Sequence, residues 1–233
     1  MCGIAGVISL NGDPVVQLGE RLAVMSRLIE HRGPDGSGNW ASRRRNVGLM
    51  HRRLSIIDLS EAGAQPMRAP NDTVLTFNGE IYNHVELRER FAAGGWRFHS
   101  QSDTECILAA YDELGDAALD ELRGMFAFAV WDERRHRLLC ARDRFGIKPF
   151  YYTVVDGLLY FASEAKVLLP FVADIETDPS ALAEYLTFQF TLGDHSLFKG
   201  IKQLLPGHAM KVENGKLSVW RYWDVRYDVD YEH

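Results

Sequence analysis

Short apolar segments at close spacing limit the folds that this chain can adopt. Segments that are apolar or alternating, and bounded by Gly, Asn, Asp or Pro, predict strands at residues 2–9, 46–50, 54–58, 73–77, 125–131, 137–141, 150–154 and 158–162. Helical periodicity is grouped between them, at residues 17–30, 85–93, 104–114, 165–169 and 179–186. Strands joined by tight turns pair antiparallel. The pattern predicts an α+β fold, a four-layer αββα sandwich of two antiparallel sheets with outer helices.

Composition narrows the class of protein. With 233 residues and 46% hydrophobic content, the chain can bury a sizeable core. A net charge of −6 argues against a nucleic acid or an anionic membrane as partner. The sequence has no secretory signal and no apolar run near the roughly 18 residues of a membrane span, which favours the cytoplasm. Three scattered cysteines indicate neither a disulfide framework nor a metal site.

The chain begins with a thiol next to the initiator methionine. If Met1 is removed, Cys2 carries a thiol and a free α-amine, and such an amine titrates at roughly 7.7–8.0. One residue would then supply both nucleophile and base. The alternative is that Cys2 is a small apolar residue starting a buried strand.

Asn78 and Gly79 follow the apolar segment 73–77. Asn-Gly is typical of a hairpin turn, but Asn83 opens an N-x-x-E helix start that leaves no room for a return strand. We therefore expect a loop in which the Asn78 amide and the Gly79 N–H are both exposed. Two such donors suit an oxyanion formed from a carbonyl, and a plain turn remains the alternative.

Two further segments carry charges suited to a ligand. Ser102 and Glu105 form a capping-box pattern that predicts a helix start. This start would fix Asp103 well enough for it to pair with an ammonium. Arg53 stands at an apolar strand, where it can bind a carboxylate or be a solvated strand-end charge. His51 has no visible partner as a catalytic base.

The motifs occur in an order typical of one family. They are Met1–Gly6, His31–Asp35, His51–Ile56, Gly63–Met67, Phe77–Asn83, Ser102–Glu105, Arg142–Tyr152 and Phe161–Glu164. Over residues 2–223 the chain resembles the N-terminal glutaminase domain of glutamine-hydrolysing asparagine synthetases, a class II glutamine amidotransferase domain. The resemblance implies an N-terminal-nucleophile (Ntn) hydrolase fold and an enzyme that releases ammonia from glutamine through a Cys2 thioester.

The same resemblance implies a role for each matching residue. Cys2 is the nucleophile, and Asn78 and Gly79 form the oxyanion pair. The substrate-binding residues are Arg53 for the α-carboxylate, Glu80 and Asp103 for the α-ammonium, and Leu54, Ser55, Ile56, Ile57, Asn78 and Gly79 around the substrate. Arg32 and Asp35 support the site.

The C-terminal residues, 224–233, bear on the domain organisation. The charged end after Asp224 has no cap or terminal helix, so we expect a glutaminase domain at residues 2–223 and a linker at 224–233. By resemblance, a C-terminal synthetase domain outside this sequence would bind ATP and magnesium and amidate aspartate; we expect no cofactor in residues 2–223. Another carboxylate as acceptor, in a peptide, a sugar or a natural product, and a non-catalytic glutamine-binding scaffold are the alternatives. The oligomeric state, including a homodimer, is left open.

Overall fold

Two antiparallel sheets form the centre of the fold. The structure, a computed structural model, describes residues 1–54 and 60–227, and within them each sheet has six strands. In order across the first sheet, the strands are β10 (Lys202–Gln203), β8 (Tyr151–Val155), β9 (Leu158–Ala162), β1 (Gly3–Ser9), β3 (Val47–Arg53) and β2 (Gly36–Ala41). Across the second they are β12 (Lys216–Arg221), β11 (His208–Glu213), β7 (Arg137–Arg142), β6 (Gly124–Asp132), β5 (Thr73–Ile81) and β4 (Met67–Arg68).

Helices cover the outer faces of both sheets. The helices are α1 (Leu18–Leu28), α2 (His84–Ala93), α3 (Thr104–Leu114), α4 (Ala118–Glu121) and α5 (Pro179–Phe188). The apolar stripe of α1 packs on the outer face of β1 through Leu18, Leu22 and Met25. Ile107 and Tyr111 of α3 belong to the apolar cluster on the outer face of the second sheet. The prediction of a four-layer αββα sandwich is therefore confirmed.

A third apolar cluster lies between the sheets. Side chains alternate along β1, so Ile4 and Ile8 face the second sheet while Ala5 and Val7 face α1. Phe150 and the other aromatic side chains of this layer are buried, and they include the Phe150–Phe161 pair, stacked with ring centroids 5.4 Å apart. This packing fixes β1 in the middle of the first sheet, with the chain start at the end of a central strand.

Several predicted boundaries differ from the structure. The expected break at residues 51–53 is wrong, since β3 runs on to Arg53; most of the predicted strand 54–58 lies outside the described residues. Strand β2 was not predicted because Gly36 and Gly38 weaken a strand pattern. Gly38 is needed there, since a Cβ at this position would collide with the Gln65 carbonyl oxygen. Residues 165–169 form 3₁₀ turns.

The expected loop at Asn78 and Gly79 is also wrong. Both residues lie inside β5, where Asn78 pairs with Ala127 and Gly79 with Phe126 of β6. The strand continues because β6 supplies a full antiparallel partner, and this long-range pairing overrides the local turn preference.

The C-terminal part of the described chain closes the second sheet. The Asn214-Gly215 turn joins β11 and β12, and both residues have positive φ, as a two-residue hairpin requires. Beyond β12, the N–H groups of Tyr222 and Trp223 both donate to the Gly207 carbonyl oxygen. Among the described residues, no helix has the length and apolar character needed to cross a membrane.

Candidate active site

A cavity of about 210 Å³ lies where the chain start meets the ends of β3 and β5. Seven residues predicted for the site line it: Cys2, Arg53, Leu54, Asn78, Gly79, Glu80 and Asp103. Further lining residues to which the sequence gave no site role are His51, Gly63, Gln65, Phe77, Ser102, Thr104, Met125 and Lys148, and all of them except Met125 lie in the motifs named above. Of the other predicted residues, Ser55, Ile56 and Ile57 lie outside the described residues. The pairing of strands thus brings segments that are distant in sequence together around the Cys2 thiol.

Cys2 lies immediately before β1 and is partly exposed to the cavity. The Leu54 N–H donates to its Sγ at 3.4 Å, and the thiol lies 3.5 Å from the Leu54 carbonyl oxygen. The start of β1 is held in place, since Ser163 Oγ accepts from the Ile4 N–H at 3.0 Å. The thiol is therefore positioned by the backbone groups of Leu54.

Arg32 supports Cys2 from outside the cavity. Its Nε donates to the Cys2 carbonyl oxygen at 2.9 Å, and its Nη1 donates to Glu164 Oε1 at 2.9 Å. Burial acts to raise the pKa of Glu164, but hydrogen bonds from Arg32, His31 and Lys166 outweigh it and lower that pKa to about 2. Asp35, exposed, donates its N–H to the Arg53 carbonyl oxygen at 3.0 Å. These residues anchor the chain start and the end of β3.

Replacing Glu164 by Gln is expected to reduce stability at neutral pH. The pKa of Glu164 is lowered from 4.5 to about 2 in the folded protein, so its stabilising effect is full above pH 4.5 and is lost as the pH falls to about 2. We expect a Tm at pH 7 lower by roughly 2–4 °C, the shift that 1 kcal/mol produces in a domain of this size. Thermal unfolding between pH 7 and 2 measures it. Glu89→Gln on the exposed face of α2 is the control, and a pH-independent difference would contradict the prediction.

Asn78 carries an unsatisfied hydrogen-bond donor in the cavity wall. The residue is 1% exposed, and its Nδ2 has no partner within the described chain. Buried amide groups are nearly always hydrogen-bonded, so an unpaired one calls for an acceptor. The cavity is the place from which that acceptor can come.

The Gly79 N–H lies on the uncovered edge of β5. N–H groups alternate along a strand, and the neighbouring ones on this edge are occupied: Phe77 N–H donates to Gln65 Oε1 at 2.7 Å, and Ile81 N–H to Asp103 Oδ2 at 2.8 Å. In the described part of the chain, no acceptor pairs with the Gly79 N–H between them. β4 is too short to cover this stretch, since it pairs only with Leu75 and Val74. Two donors, on Asn78 and Gly79, therefore face the same cavity.

Replacing Gly79 by Ala is expected to lower the free energy of unfolding by about 1–3 kcal/mol, the usual cost of overpacking. A Cβ there would lie 2.7 Å from the Phe126 Cα and collide with the Met125 carbonyl oxygen, so β5 must move away from β6. Urea unfolding measures the loss. Gly19→Ala is the matched control because nothing lies within 4 Å of a Cβ at Gly19 in α1, and equal stability of the two variants would contradict this account.

Charged groups of both signs line the remaining wall. Asp103 is 4% exposed, and burial raises its pKa while the Ile81 N–H opposes the shift. Glu80 is half-buried nearby on β5. Arg53, at the end of β3, donates from Nη1 to the Ser60 carbonyl oxygen at 2.9 Å. A molecule with one cationic and one anionic end fits such a wall.

The helix start beside Asp103 differs from the predicted capping box. α3 begins at Thr104 as expected, and the Thr104 N–H donates to Ser102 Oγ at 3.2 Å. Glu105, however, reaches further back and accepts from the N–H groups of His99 and Ser100. The Glu105 carboxylate thus binds the loop that precedes the helix, and this loop holds Asp103 at the cavity.

His51 is buried beneath the cavity and joins the two sheets. Its Nε2 lies 3.1 Å from the Phe77 carbonyl oxygen, so this nitrogen carries the proton and Nδ1 is left without a partner among the described residues. Burial lowers the pKa of His51 to about 3, the Phe77 hydrogen bond opposes the shift, and the charge of Arg53 adds to it. His51 is a neutral, weak base at neutral pH.

The other two cysteines are unlike Cys2. Burial raises the pKa of Cys106 to about 12 and that of Cys140 well above its usual range. Both pack in the apolar clusters, away from the cavity. Of the three thiols, only Cys2 lines the cavity.

Comparisons with known proteins point to one family. The sequence profile described as glutamine amidotransferase domain matches residues 1–223. The glutamine-hydrolyzing asparagine synthetase 1 of Bacillus subtilis is 41% identical over 97% of this chain and 36% of its own length. Amidase chry2 of Gibberella zeae is 37% identical over 97% of this chain and 35% of its own length. The chain thus spans about a third of the length of these curated relatives.

A solved structure shares the fold at low sequence identity. Glutamine phosphoribosylpyrophosphate amidotransferase from B. subtilis, complexed with ADP and GMP, aligns with a TM-score of 0.68 and 17% identity. The alignment covers 95% of this chain and 49% of that one. The likeness supports the predicted Ntn-hydrolase type of fold.

Proposed function

Because the chain belongs to the glutamine amidotransferase domain family, we propose that it hydrolyses the side-chain amide of glutamine to glutamate and ammonia. One observation carries the proposal most directly: the Cys2 thiol opens into the same cavity as the buried amide of Asn78, whose Nδ2 has no partner among the described residues. A nucleophile and a donor for the resulting oxyanion are the two groups that acyl transfer requires.

The charges of the cavity support a binding mode for glutamine. Arg53 binds the α-carboxylate, for which a guanidinium offers a planar pair of donors. Asp103 and Glu80 bind the α-ammonium. Residues 55–57 remain proposed substrate contacts because they follow Leu54 directly. With both ends of the amino acid held, its side-chain amide points toward Cys2.

The reaction proceeds in two steps. The thiol proton passes to the α-amine of Cys2, and the sulfur bonds to the amide carbon, while the carbonyl electrons move to oxygen. The N–H groups of Asn78 and Gly79 stabilise this oxyanion. When the carbonyl re-forms, the carbon–nitrogen bond breaks and the ammonium of Cys2 returns its proton to the leaving nitrogen, releasing ammonia. Water then attacks the thioester, giving its proton to the amine, and glutamate leaves with the thiol restored.

The mechanism requires removal of Met1. Met1 lines the cavity. While it is present, the nitrogen of Cys2 is part of a peptide bond and cannot act as a base. Met1 is 57% exposed, and its Sδ accepts a long hydrogen bond from Arg32 Nη2 at 4.0 Å. Removing it therefore disturbs little packing, and it opens the cavity beside Cys2. The free thiols suit a reducing compartment, so we place the enzyme in the cytoplasm.

The fate of the ammonia follows from the relatives. They extend well beyond the region matched here, and we propose that residues 2–223 form the glutaminase half of an asparagine synthetase, with 224–233 starting the linker. ATP and magnesium would act in that further domain, on aspartate. The exposed Phe145 and Ile147 support an interface on this side of the domain. The similarity to amidase chry2 keeps a different carboxylate as the alternative acceptor.

Ammonia release from glutamine tests the proposal. Purified protein, with its N-terminus defined by intact mass, should convert glutamine to equimolar glutamate and ammonia, and asparagine should be a poorer substrate. Binding of glutamine without turnover by chains starting at Cys2 would favour the scaffold alternative. Aspartate and a panel of other carboxylates, offered with ATP to a version extended by the synthetase domain, would separate the acceptors.

A further inference from the structure

Lys148 is a buried cation in the cavity wall for which the proposed mechanism has no role. It is 6% exposed and lines the same cavity as Cys2, Asn78 and Gly79. Within residues 1–54 and 60–227, no carboxylate forms an ion pair with its ammonium. Burying an unpaired charge is costly. A negative charge that arises in this cavity during the reaction would supply the partner that the ammonium lacks among the described residues.

The turn that carries Lys148 is held rigidly between β7 and β8. Asp143 is fully buried, and its carboxylate accepts four backbone N–H groups, from Phe126, Phe145, Ile147 and Lys148. The Arg142 guanidinium donates to three carbonyl oxygens, those of Gly146, Lys148 and Leu204. The backbone of Lys148 is therefore fixed before any substrate binds.

One carboxylate oxygen links Lys148 to the proposed oxyanion site. Asp143 Oδ2 accepts from the Lys148 N–H at 2.9 Å and from the Phe126 N–H at 3.2 Å. Phe126 is the strand partner of Gly79. The Phe126 backbone groups that bind Asp143 point away from β5, so the turn lies across β6 from Gly79, and Lys148 lines the same cavity as Gly79. Arg53 approaches from β3 in the other sheet.

We propose that the ammonium of Lys148 stabilises the oxyanion formed at Asn78 and Gly79, as a third, electrostatic contribution to the transition state. This inference rests on the proposed glutaminase function. Beside protein walls of low dielectric constant, a unit charge acts over several ångströms without a direct hydrogen bond. The charge favours the oxyanion over the neutral amide, so it should affect kcat far more than KM.

The test compares Lys148→Met with Lys148→Arg and with Lys216→Met, which removes a charge from the exposed start of β12. All are measured as full chains with Met1 removed. We expect kcat of Lys148→Met to fall about 10- to 100-fold with KM nearly unchanged. Lys148→Arg should keep most of the activity, and Lys216→Met all of it. Lys148→Met should also unfold at the same or a higher temperature, since it removes a buried unpaired charge.

Alkylation of Cys2 by iodoacetamide separates this role from two others. The rate should be equal in wild type and Lys148→Met, because the alkylation step forms no oxyanion. An equal fall in alkylation rate and kcat would show that Lys148 activates the thiol, and a rise in KM alone would show that it binds substrate; either result overturns the inference. Wild-type protein that binds glutamine without hydrolysing it overturns the proposed function itself, and the role of Lys148 with it.

Discussion

Replacing Cys2 by Ala is expected to abolish ammonia release from glutamine, with a loss of at least about 10⁴-fold in kcat, as for other covalent nucleophiles. Of the three thiols, only that of Cys2 lines the cavity, and without its sulfur no thioester can form. The fold should be unaffected, because the side chain of Cys2 is partly exposed and its carbonyl still accepts from Arg32. A coupled assay for glutamate, with ammonia measured separately, gives the result.

Cys106→Ala is the matched control for this experiment. Its thiol, with a pKa raised to about 12 by burial, should contribute nothing to turnover, so activity per folded molecule should stay near wild type. A second control is wild-type protein that keeps Met1, which should fold but fail to turn over, because its Cys2 nitrogen is an amide. Turnover that survives in Cys2→Ala would refute the mechanism.

Replacing Asn78 by Ala is expected to lower kcat by about 10²–10³-fold, the usual effect of losing one oxyanion donor. KM should change little, since the oxyanion exists only after attack on the carbonyl. The variant should keep its stability, because the lost Nδ2 group has no partner in the described chain and its burial is a cost in the free protein. Steady-state kinetics and thermal unfolding of the same preparation test both statements.

Asn39→Ala, an exposed asparagine on β2, controls for the loss of an amide elsewhere. A further comparison is Asn78→Asp, which keeps the shape but places a carboxylate where the oxyanion forms; it should be at least as inactive as the alanine variant. If Asn78→Ala raised KM and left kcat intact, the amide would bind the substrate rather than stabilise the transition state.

Much of the fold can be predicted from local patterns. The long apolar segments at 125–131 and 137–141 form β6 and β7 because a strand needs only an alternating or buried run and a turn between. The helix at 104–114 has the predicted bounds because local residues mark both ends: Ser102 Oγ accepts from the Thr104 N–H, and Gly115 follows with a positive φ. Glycine-rich β2 was not predicted, since its strand form depends on the pairing with β3 and on the nearby Gln65 backbone.

The sequence by itself determined the class of chemistry. The motifs from Met1–Gly6 to Phe161–Glu164, in their order along the chain, carried the resemblance to the glutamine amidotransferase family before any distance was known. Tertiary structure alone decided how the donors are presented. Asn78 and Gly79 lie within a paired strand and not in a loop.

The presentation of these donors depends on tertiary structure because strand edges and cavity walls are formed by residues that are distant in sequence. The N–H of Gly79 faces the cavity because β4 stops short of it and because Gln65 and Asp103 occupy the donors on either side. Lys148 reaches the same cavity through a turn that Asp143 anchors to β6. None of these residues is close to Cys2 in sequence, so only the packed sheets could bring them together around it.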